Sequence, residues 1–367
     1  MKLLFVTDKI SEGGAERACS IFANECAGLG HDVTLLANRF TDNEYPVSKK
    51  VKLIRLPENK LFLNENFISR NIKRLPTYVK IVKEINPDFI IPFMSTNTII
   101  MSIVNLFCHK KVIGTVRVNF AVPDDFVPNW IRDFFYKRCK GIWCQNIEQV
   151  KYFSRKIQTR CFVIPNCTRD DLIQEGEKRN YDNKKSAPIN ITAIGRLSKQ
   201  KNHKMLIEAF SKLDNNNLKL NIYGEGELRN DLQKLIDSYG LTDRVFLKGW
   251  TNDIACVMRE TDIFVLSSDY EGQPNVLQEA MTCGIPCIST ACPTGASELI
   301  KNNETGLLVP VNDTQALQEA IDCLSNDSEL IVKLGKNGYN FVKENFASSV
   351  LTRQLIFYLE DITMREI

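Results

Sequence analysis

The feature that most constrains the fold is an alternation of short apolar strands and amphipathic helices, which runs along the chain and restarts half-way. The strand segments are rich in Val, Ile and Leu and do not alternate strictly between polar and apolar residues, as is typical of parallel strands buried on both faces. Each half therefore predicts a doubly wound α/β sheet. The predicted strands are Lys2–Thr7, Asp32–Ala37, Val51–Leu56, Asp88–Phe93, Val112–Val116, Ile142–Gln145 and Cys161–Ile164 in the first half, and Ile189–Ile194, Leu218–Tyr223, Val245–Lys248, Ile263–Ser267, Pro286–Thr290 and Leu307–Val309 in the second.

Helical periodicity accounts for the segments between these strands. In the first half we expect a helix over Ala15–Leu29 and another over Tyr78–Ile85, which follows Pro76, a residue suited to a helix start. The helix predicted at the end of the chain, Ser348–Leu359, is too long to be a cap, so we expect it to pack back on the first domain. The helices predicted in the second half are Lys204–Leu213, Leu228–Tyr239, Asn275–Thr282 and Thr314–Leu324.

A polar and charged stretch without apolar periodicity separates the two halves and predicts a linker. We therefore divide the chain into an N-terminal domain (1–171), a linker (172–188), a C-terminal domain (189–345) and the closing helix (346–367). Two doubly wound domains of this kind are expected to face each other across a cleft. Ligands then bind at the carboxyl ends of the strands.

Composition narrows the class of protein. Hydrophobic residues make up 44% of the 367 residues and charged residues 25%, which excludes disorder and coiled coil. We see neither an apolar run of about 18 residues nor a signal peptide before Asp8. Twelve cysteines occur without a Cys-x-x-Cys pair and beside only three histidines, which favours buried thiols over disulfides or metal ligands. We expect a soluble cytoplasmic protein.

The net charge of +3 hides an asymmetry. Residues 1–171 hold 26 Lys and Arg against 17 Asp and Glu, whereas the remainder holds 21 against 27. The basic half favours an anionic partner, such as an anionic membrane surface or a phosphorylated acceptor, although lysines that only improve solubility remain the alternative. Nucleic acid is disfavoured because no aromatic stacking pattern accompanies the lysines.

One basic amphipathic segment, Phe67–Ile85, is a specific candidate for membrane contact. We expect it to lie reversibly on an anionic bilayer, which would place the protein peripherally on the inner face of the cytoplasmic membrane. The alternative is an ordinary helix that packs its apolar face on the sheet. Its basic residues are Arg70, Lys73, Arg74, Lys80 and Lys83.

Candidate binding residues follow the first strand of each half. Gly13 and Gly14 lie between a strand and a helix, where free backbone N–H groups can bind an anion. The pattern is neither the dinucleotide Gly-x-Gly-x-x-Gly nor a P-loop. In the second half, Arg196 and Lys201 lie on a strand-to-helix loop, where a guanidinium and an ammonium can bind a diphosphate.

Two carboxylates follow a later strand of the second half. Glu271 lies in the loop after that strand, and Glu279 lies about one turn into the next helix. Both can therefore face the same cleft, where they would accept hydrogen bonds from sugar and ribose hydroxyls. No Asp-x-Asp at a strand end offers a site for a divalent ion, and Asp124–Asp125 is interpreted as a turn beside Pro123.

These motifs together resemble a known family. The segments GGAER, GRLSKQKN, YGEGELR, EGQPNVLQEAMTCGIPCIST and CPTGASELI are similar, in this order, to the retaining glycosyltransferases of family four. The resemblance implies the GT-B fold, with an acceptor-binding first half and a nucleotide-sugar-binding second half. Within the family, the chain is similar to enzymes that extend bacterial surface polysaccharides or lipid-linked oligosaccharides.

The resemblance also implies residue roles. Arg196 and Lys201 would hold the donor diphosphate, Glu279 the ribose and Glu271 the transferred sugar. Many members carry a histidine on the first-domain side of the reaction centre, and Arg117, in the segment Val116–Asn119, is expected to take its place. The other predicted substrate-binding residues are Gly13 and Gly14 near the phosphate, Gln273, Pro274, Asn275 and Val276 at the sugar, and Tyr223, Gly224, Gly226 and Trp250 beside the nucleobase.

The family's chemistry implies a metal-independent transfer without a resident cofactor, in which a UDP-sugar is co-substrate and the acceptor is a glycan on polyprenyl diphosphate. Arg196, Lys201 and the helix start near Thr294–Ala296 would stabilise the leaving diphosphate, and a leaving phosphate oxygen would serve as base. Two alternatives remain. A UDP-sugar 2-epimerase would need an acid–base histidine, yet His31, His109 and His203 are expected to lie away from the motifs. A catalytically silent nucleotide-sugar-binding protein is the other.

Overall fold

The computed structural model describes residues 1–11, 13–41, 44–56, 67–117, 128–181, 188–292 and 295–365, and within them all side chains except those of residues 67–72 and 129. The chain forms two compact units, which we call unit 1 (Met1–Cys167 with Ser348–Ile367) and unit 2 (Thr168–Ala347). Both are parallel α/β sheets covered by helices on both faces. The predicted doubly wound fold class is therefore confirmed.

Unit 1 contains the strands β1 (Lys2–Thr7), β2 (Asp32–Ala37), β3 (Lys52–Arg55), β4 (Phe89–Pro92), β5 (Lys111–Thr115), β6 (Gly141–Cys144) and β7 (Cys161–Val163). They pair in the parallel order β3-β2-β1-β4-β5-β6-β7. Its helices are α1 (Gly14–Gly28), α2 (Phe67–Ile85), α3 (Ser95–Cys108), α4 (Asn129–Tyr136), α5 (Ile147–Lys151) and α6 (Arg155–Gln158).

The chain order in unit 2 begins with α7 (Asp170–Glu177). The strands β8 (Ile189–Ile194), β9 (Leu218–Tyr223), β10 (Val245–Gly249), β11 (Ile263–Leu266), β12 (Cys287–Thr290) and β13 (Leu307–Val309) pair in the parallel order β10-β9-β8-β11-β12-β13. The remaining helices are α8 (His203–Ser211), α9 (Arg229–Ser238), α10 (Ile254–Glu260), α11 (Asn275–Thr282), α12 (Ala296–Leu299), α13 (Thr314–Asn326), α14 (Ser328–Phe346) and, returning to unit 1, α15 (Ser348–Met364).

Each sheet has an apolar core on both faces, as parallel strands require. In unit 1, α15 joins the core on the side of α1, where Leu351, Leu355 and Leu359 are fully or almost fully buried beside Phe22. The closing helix therefore packs on the first unit, as predicted. All twelve cysteines are free thiols, and seven of them are buried.

The structure differs from the predicted linker. Thr168 already belongs to unit 2, and residues 172–177 of the predicted linker lie in the helix α7, in which Leu172 is fully buried. Beyond α7, Arg179 donates a hydrogen bond to the carbonyl oxygen of Thr261 (2.6 Å), and Tyr181 donates one to that of Gly284 (2.7 Å). Polar residues here pack against unit 2, which a composition-based linker prediction cannot detect.

The expectation for α2 is also corrected. The helix passes through Pro76 instead of beginning after it. Its apolar side faces the interior, where Tyr78 and Val82 are fully buried, and Arg74 is buried and donates to the carbonyl oxygen of Asn38 at 3.0 Å. Over residues 73–85 the apolar stripe is therefore part of the core and is not available to a bilayer. The side chains of residues 67–72, including Arg70, lie outside the description.

No helix within the described ranges is both long enough and apolar enough to cross a membrane.

Candidate active site

The candidate site of unit 2 is built on three loops at the carboxyl ends of β8, β9 and β10. Their backbones are joined directly: Gly195 N–H donates to Tyr223 O (2.9 Å), Leu197 N–H to Glu225 O (3.0 Å) and Gly224 N–H to Gly249 O (2.8 Å). The loop that carries Arg196 is therefore fixed against its neighbour. Preorganised loops of this kind can hold charges at fixed positions for a ligand.

Glycine is required where these loops touch. A Cβ atom at Gly224, whose φ is +139°, would lie 1.9 Å from the carbonyl oxygen of Gly195, and one at Gly226 would lie 2.4 Å from that of Leu197. Any side chain would push the loops apart. The structure thus gives both predicted binding glycines a packing role, and their contact with a substrate stays a prediction.

The centre of the site is an ion pair between Lys201 and Glu271. Lys201 Nζ lies 2.6 Å from Glu271 Oε1, and Ser268 Oγ donates to the same carboxylate oxygen at 2.7 Å. The side chains are 17% and 8% exposed, respectively. An ammonium has three N–H donors, so Lys201 can hold Glu271 and still donate to an anion. The sequence had grouped these two residues without predicting that they touch.

Hydrogen bonds from a second layer hold the ion pair in place. Ser267 Oγ donates to the carbonyl oxygen of Lys201 (2.9 Å), Asp269 N–H donates to that of Gln200 (2.9 Å), and Asn202 Nδ2 donates to Asp269 Oδ1 (2.8 Å). Asn202 also caps α8, although its φ is +45°. These partners were missed at the sequence level because Asn and Ser on loops are ordinary turn residues.

Arg196 is exposed, whereas the stem of Lys201 crosses Gly195, where an added Cβ would lie 3.0 Å from Lys201 Cδ. Both cations therefore come from one turn of chain.

Contrary to the expectation, His203 lies beside this turn. Burial, and secondarily the charge of Lys201, lowers the pKa of His203 to about 4, so the imidazole is neutral at physiological pH and is unsuited to acid–base work there.

Glu279 has different neighbours from Glu271. It lies on α11 and is almost completely buried. Although burial lowers the pKa of Arg169, the carboxylates of Asp171 and Glu279 raise it above its ordinary value. Arg169, which the sequence had placed at the edge of the linker, is thus a further cation near the site. The two glutamates belong to separate electrostatic environments within unit 2.

The start of α11 supplies the remaining predicted sugar contacts. Pro274 is its N-terminal cap and is buried, Asn275 and Val276 are half-buried, and Gln273 Nε2 donates to Gln278 Oε1 at 2.8 Å. Gly295 precedes α12 with a φ of +80°, and an added Cβ would meet Pro274 at 2.6 Å. Thr294 lies outside the described residues, as do Asp124 and Asp125.

Tyr223 lies on the face of the β8–β9–β10 sheet opposite the main core of unit 2, in a polar groove of about 250 Å³. Burial, and then the charge of Glu260, raises the pKa of its phenol. Trp250 follows β10 and is 73% exposed. The residues lining the groove are Asn190, Thr192, Lys219, Asn221, Tyr223, Phe246, Lys248, Val257 and Glu260.

In unit 1, Gly13 caps α1 with a φ of +108°, and Gly14 is the first helical residue. A Cβ atom on Gly13 would lie 2.5 Å from Glu16 Oε2, so the carboxylate of Glu16 sits beside the helix N-terminus, where the dipole favours negative charge. The binding of a phosphate at Gly13 and Gly14 stays a prediction.

Arg117 is buried inside unit 1, at the carboxyl end of β5. Its guanidinium lies over the rings of Trp143 (4.2 Å) and Phe93 (4.5 Å) and donates to Asn166 Oδ1 at 2.8 Å. Burial lowers the pKa of Arg117 to about 10, so it remains charged. This position favours a role in holding Asn166, which also accepts from Gln145 at 2.9 Å. The predicted catalytic role stays a prediction.

Among the described residues, no group of three or more His, Cys, Asp or Glu side chains is arranged to hold a metal ion. What unit 2 does present is fixed cations at the carboxyl ends of parallel strands, with a paired carboxylate beside them. Such an arrangement can bind an anionic ligand that also carries hydroxyl groups.

Two family models match the chain: Glycosyltransferase Family 4 over residues 12–172 and Glycosyl transferases group 1 over residues 174–341. One relative, 26% identical with 94% of each chain covered, is the GalNAc-alpha-(1->4)-GalNAc-alpha-(1->3)-diNAcBac-PP-undecaprenol alpha-1,4-N-acetyl-D-galactosaminyltransferase of Campylobacter jejuni. Another, 36% identical over 41% of this chain and 42% of its own, is the UDP-Gal:alpha-D-GlcNAc-diphosphoundecaprenol alpha-1,3-galactosyltransferase of Escherichia coli.

Solved structures share the fold. Anabaena HepE, crystallised in complex with UDP, superposes with a TM-score of 0.78 at 17% identity, covering 98% of this chain and 100% of its own.

Proposed function

This chain belongs to the family-four glycosyltransferases and has the GT-B fold, and from that premise we propose that it moves a hexose or N-acetylhexosamine from a UDP-sugar to a growing glycan on polyprenyl diphosphate. The reaction retains the configuration at the anomeric carbon and needs no metal. The observation that carries the proposal is the Lys201–Glu271 ion pair beside the exposed Arg196.

The ion pair supports a charge-stabilising role. When the sugar–phosphate bond breaks, negative charge develops on the leaving diphosphate, and fixed cations stabilise that charge without reorganisation. Lys201 is held by Glu271 and by the backbone contacts of its loop, so its ammonium needs little reordering. Arg196 adds a second cation from the same loop. These two groups perform the task for which other transferases use a divalent ion.

Glu271 serves the sugar as well as the lysine. An ionised carboxylate accepts about four hydrogen bonds, and the contacts with Lys201 and Ser268 both fall on Oε1. We assign Glu271 to a hydroxyl of the transferred sugar and Glu279 to the ribose. A leaving phosphate oxygen takes the proton of the acceptor hydroxyl, so the chain supplies no dedicated base.

The choice of donor and acceptor rests on relatives. The Escherichia coli enzyme is named for UDP-Gal, and both the Escherichia coli and the Campylobacter enzymes are named for glycans on undecaprenyl diphosphate. An acceptor of this kind resides at a membrane. We therefore place the protein in the cytoplasm, peripherally on the inner face of the cytoplasmic membrane, in the synthesis of a surface polysaccharide or another glycan.

The experiment is a donor and acceptor screen. UDP-, GDP- and ADP-sugars are incubated with short glycans on undecaprenyl diphosphate in detergent, and products are followed by mass spectrometry and by NMR of the new anomeric centre. We expect transfer from a UDP-sugar with an α product, unaffected by EDTA. Activity lost in EDTA and restored by Mn²⁺ would overturn the metal-free mechanism, and a β product would overturn retention.

An arginine variant tests the site itself. Arg196→Ala should lower kcat/KM by about 10²–10³-fold, as the loss of a preorganised charge does, without a change in Tm because the side chain is exposed. A silent binding protein would instead bind UDP and yield neither transfer nor donor hydrolysis.

A further inference from the structure

Helix α4 in unit 1 carries an apolar and basic stripe on its outer face. Trp130 is 74% exposed and Phe134 is 50% exposed. With Lys137 and Arg138 they are spaced i, i+4, i+7 and i+8, so they lie on one side of the helix and its C-terminal turn. We call these four residues the outer stripe of α4.

The opposite side of α4 is fixed in the core. Tyr136 is fully buried, and its hydroxyl donates to the carbonyl oxygen of Thr115 at 2.6 Å. Arg132 is 2% exposed and lies over the ring of Phe153 at 5.5 Å. The helix therefore cannot rotate to bury its aromatic residues, and the outer stripe is a stable feature of the surface.

Basic residues predominate in the chain that follows this stripe, and the acid on α4 itself, Asp133, is paired with Arg132 at 3.4 Å. Residues 137–160 contain seven exposed Lys and Arg side chains and a single acid, Glu148, whose carboxylate is paired with Lys151 at 2.5 Å. This one stretch accounts for most of the positive excess of the first half of the chain. The seven are Lys137, Arg138, Lys140, Lys151, Arg155, Lys156 and Arg160.

Contacts connect the basic stretch to the stripe. Arg160 Nη1 donates to the carbonyl oxygens of Lys137 (3.0 Å) and Cys139 (3.3 Å), directly after α4. The guanidinium of Arg138 lies 3.7 Å from the centroid of the Phe134 ring and donates to the Phe134 carbonyl oxygen at 2.6 Å. The cations of Arg138 and Arg160 thus lie at the C-terminal end of α4, and Arg138 stacks on the aromatic part of the stripe.

We propose that the outer stripe of α4, with the basic residues around it, is the surface by which the protein lies on an anionic bilayer. Trp side chains favour the headgroup level of a membrane, and Lys and Arg near the surface are attracted to anionic lipids. This assignment rests on the proposed function, because a lipid-linked acceptor must be met at the membrane. It replaces α2, whose apolar side over residues 73–85 lies in the core.

The tryptophans make the contact measurable. Of the three, Trp143 is fully buried, and Trp130 and Trp250 are exposed. In a Trp250→Phe protein, Trp130 is therefore the only exposed tryptophan. Vesicles of phosphatidylcholine and phosphatidylglycerol with brominated acyl chains should quench its fluorescence and shift the emission to the blue. Salt of about 0.5 M should reverse both effects, because it shortens the Debye length to below about 8 Å.

Two variants test the two parts of the surface by vesicle sedimentation. Trp130→Ser with Phe134→Ser should lower the partition constant about tenfold to a hundredfold, since two large apolar side chains no longer leave water. The triple charge reversal Lys137→Glu, Lys140→Glu and Lys156→Glu should remove the preference for phosphatidylglycerol.

Matched controls use exposed residues elsewhere: Phe357→Ser on α15, which is 64% exposed, and a triple Lys→Glu variant at Lys212, Lys234 and Lys333 in unit 2, which are exposed. Both should bind vesicles as the wild type does, and circular dichroism should show every variant folded.

Three results would refute this surface. The wild type does not bind anionic vesicles at low salt, or the serine double variant binds them as tightly as the wild type does. The third is that the double variant converts a dimer to a monomer, which would mean that the stripe holds two copies together. A wild type that ignores vesicles but transfers sugar to a detergent-dispersed lipid acceptor refutes this surface alone. Binding through the stripe, with no transfer to any polyprenyl diphosphate glycan, refutes the proposed function alone.

Discussion

Replacing Lys201 by methionine gives the sharpest test of the candidate site, because it removes the charge and keeps most of the apolar stem. The Nζ–Oε1 separation is 2.6 Å, and the side chains of Lys201 and Glu271 are 17% and 8% exposed. At an effective dielectric constant of about 20, the attraction at this distance is about 6 kcal/mol before desolvation is subtracted. Removing one charge of a largely buried pair should destabilise unit 2 by about 3 kcal/mol, at the lower end of the range for buried pairs because both side chains keep some exposure.

Activity should fall further than stability explains. Loss of a preorganised cation at a developing negative charge costs about 10²–10³-fold in kcat/KM. The double variant Lys201→Met with Glu271→Gln removes both charges, so it should regain most of the lost Tm but none of the activity. Lys199→Met, an exposed lysine on the same loop, is the matched control and should change neither quantity.

The assays are thermal unfolding by circular dichroism and initial rates of donor hydrolysis at fixed UDP-sugar. If the double variant recovered activity together with stability, the lysine would only support the fold of the loop. A loss of kcat/KM below about tenfold in the single variant, measured well under its Tm, would likewise contradict charge stabilisation by Lys201.

The remaining predictions concern other parts of unit 2. Glu279→Gln should weaken binding of UDP itself, whereas Glu271→Gln should reduce turnover and leave UDP affinity nearly unchanged; equal losses in calorimetry with UDP would refute this division. Gly224→Ala should lower the free energy of unfolding by more than about 1 kcal/mol, because its Cβ would lie 1.9 Å from the carbonyl oxygen of Gly195; an unchanged urea midpoint would contradict the crowding. The pKa of His203, lowered to about 4 by burial, lies below that of the unfolded chain, so the unfolded state binds the extra proton and stability should fall as pH drops from about 7 to 5, by about 2 kcal/mol. Urea unfolding at both pH values checks this, and His203→Leu should lose that share of the pH dependence.

Sequence reasoning succeeded for features that one short segment determines. The thirteen strands of the described ranges lie where contiguous apolar runs predicted them, because most of them are buried on both faces and a parallel strand so buried needs such a run. It was less successful for helices. Pro76 was expected to open a helix, yet tertiary packing of Tyr78 and Val82 carries α2 through it. The polar residues of α7 were interpreted as a linker because composition does not show that Leu172 is buried.

For the candidate site, the sequence by itself determined which residues follow the strands: Gly13 after β1, Arg196 after β8 and Glu271 after β11. Their residue types and spacing also predicted the family. Only the tertiary structure decided their partners. Lys201 and Glu271 are separated by 70 positions and meet because β8 and β11 are neighbours in the sheet. Side-chain contacts between distant segments depend on packing, and no local pattern encodes them.

The same distinction holds for burial. The sequence showed only that the first half is basic. The structure decided that the Arg117 guanidinium lies against the rings of Trp143 and Phe93 inside unit 1. It also decided that Trp130 and Phe134 are exposed on α4. An arginine can enter the interior because aromatic faces and an amide accept its charge, and an aromatic residue can stay outside because the other side of its helix already fills the core. Which of these occurs is fixed by the summed packing of the whole unit, since the free energy of burial depends on every neighbour that the fold supplies.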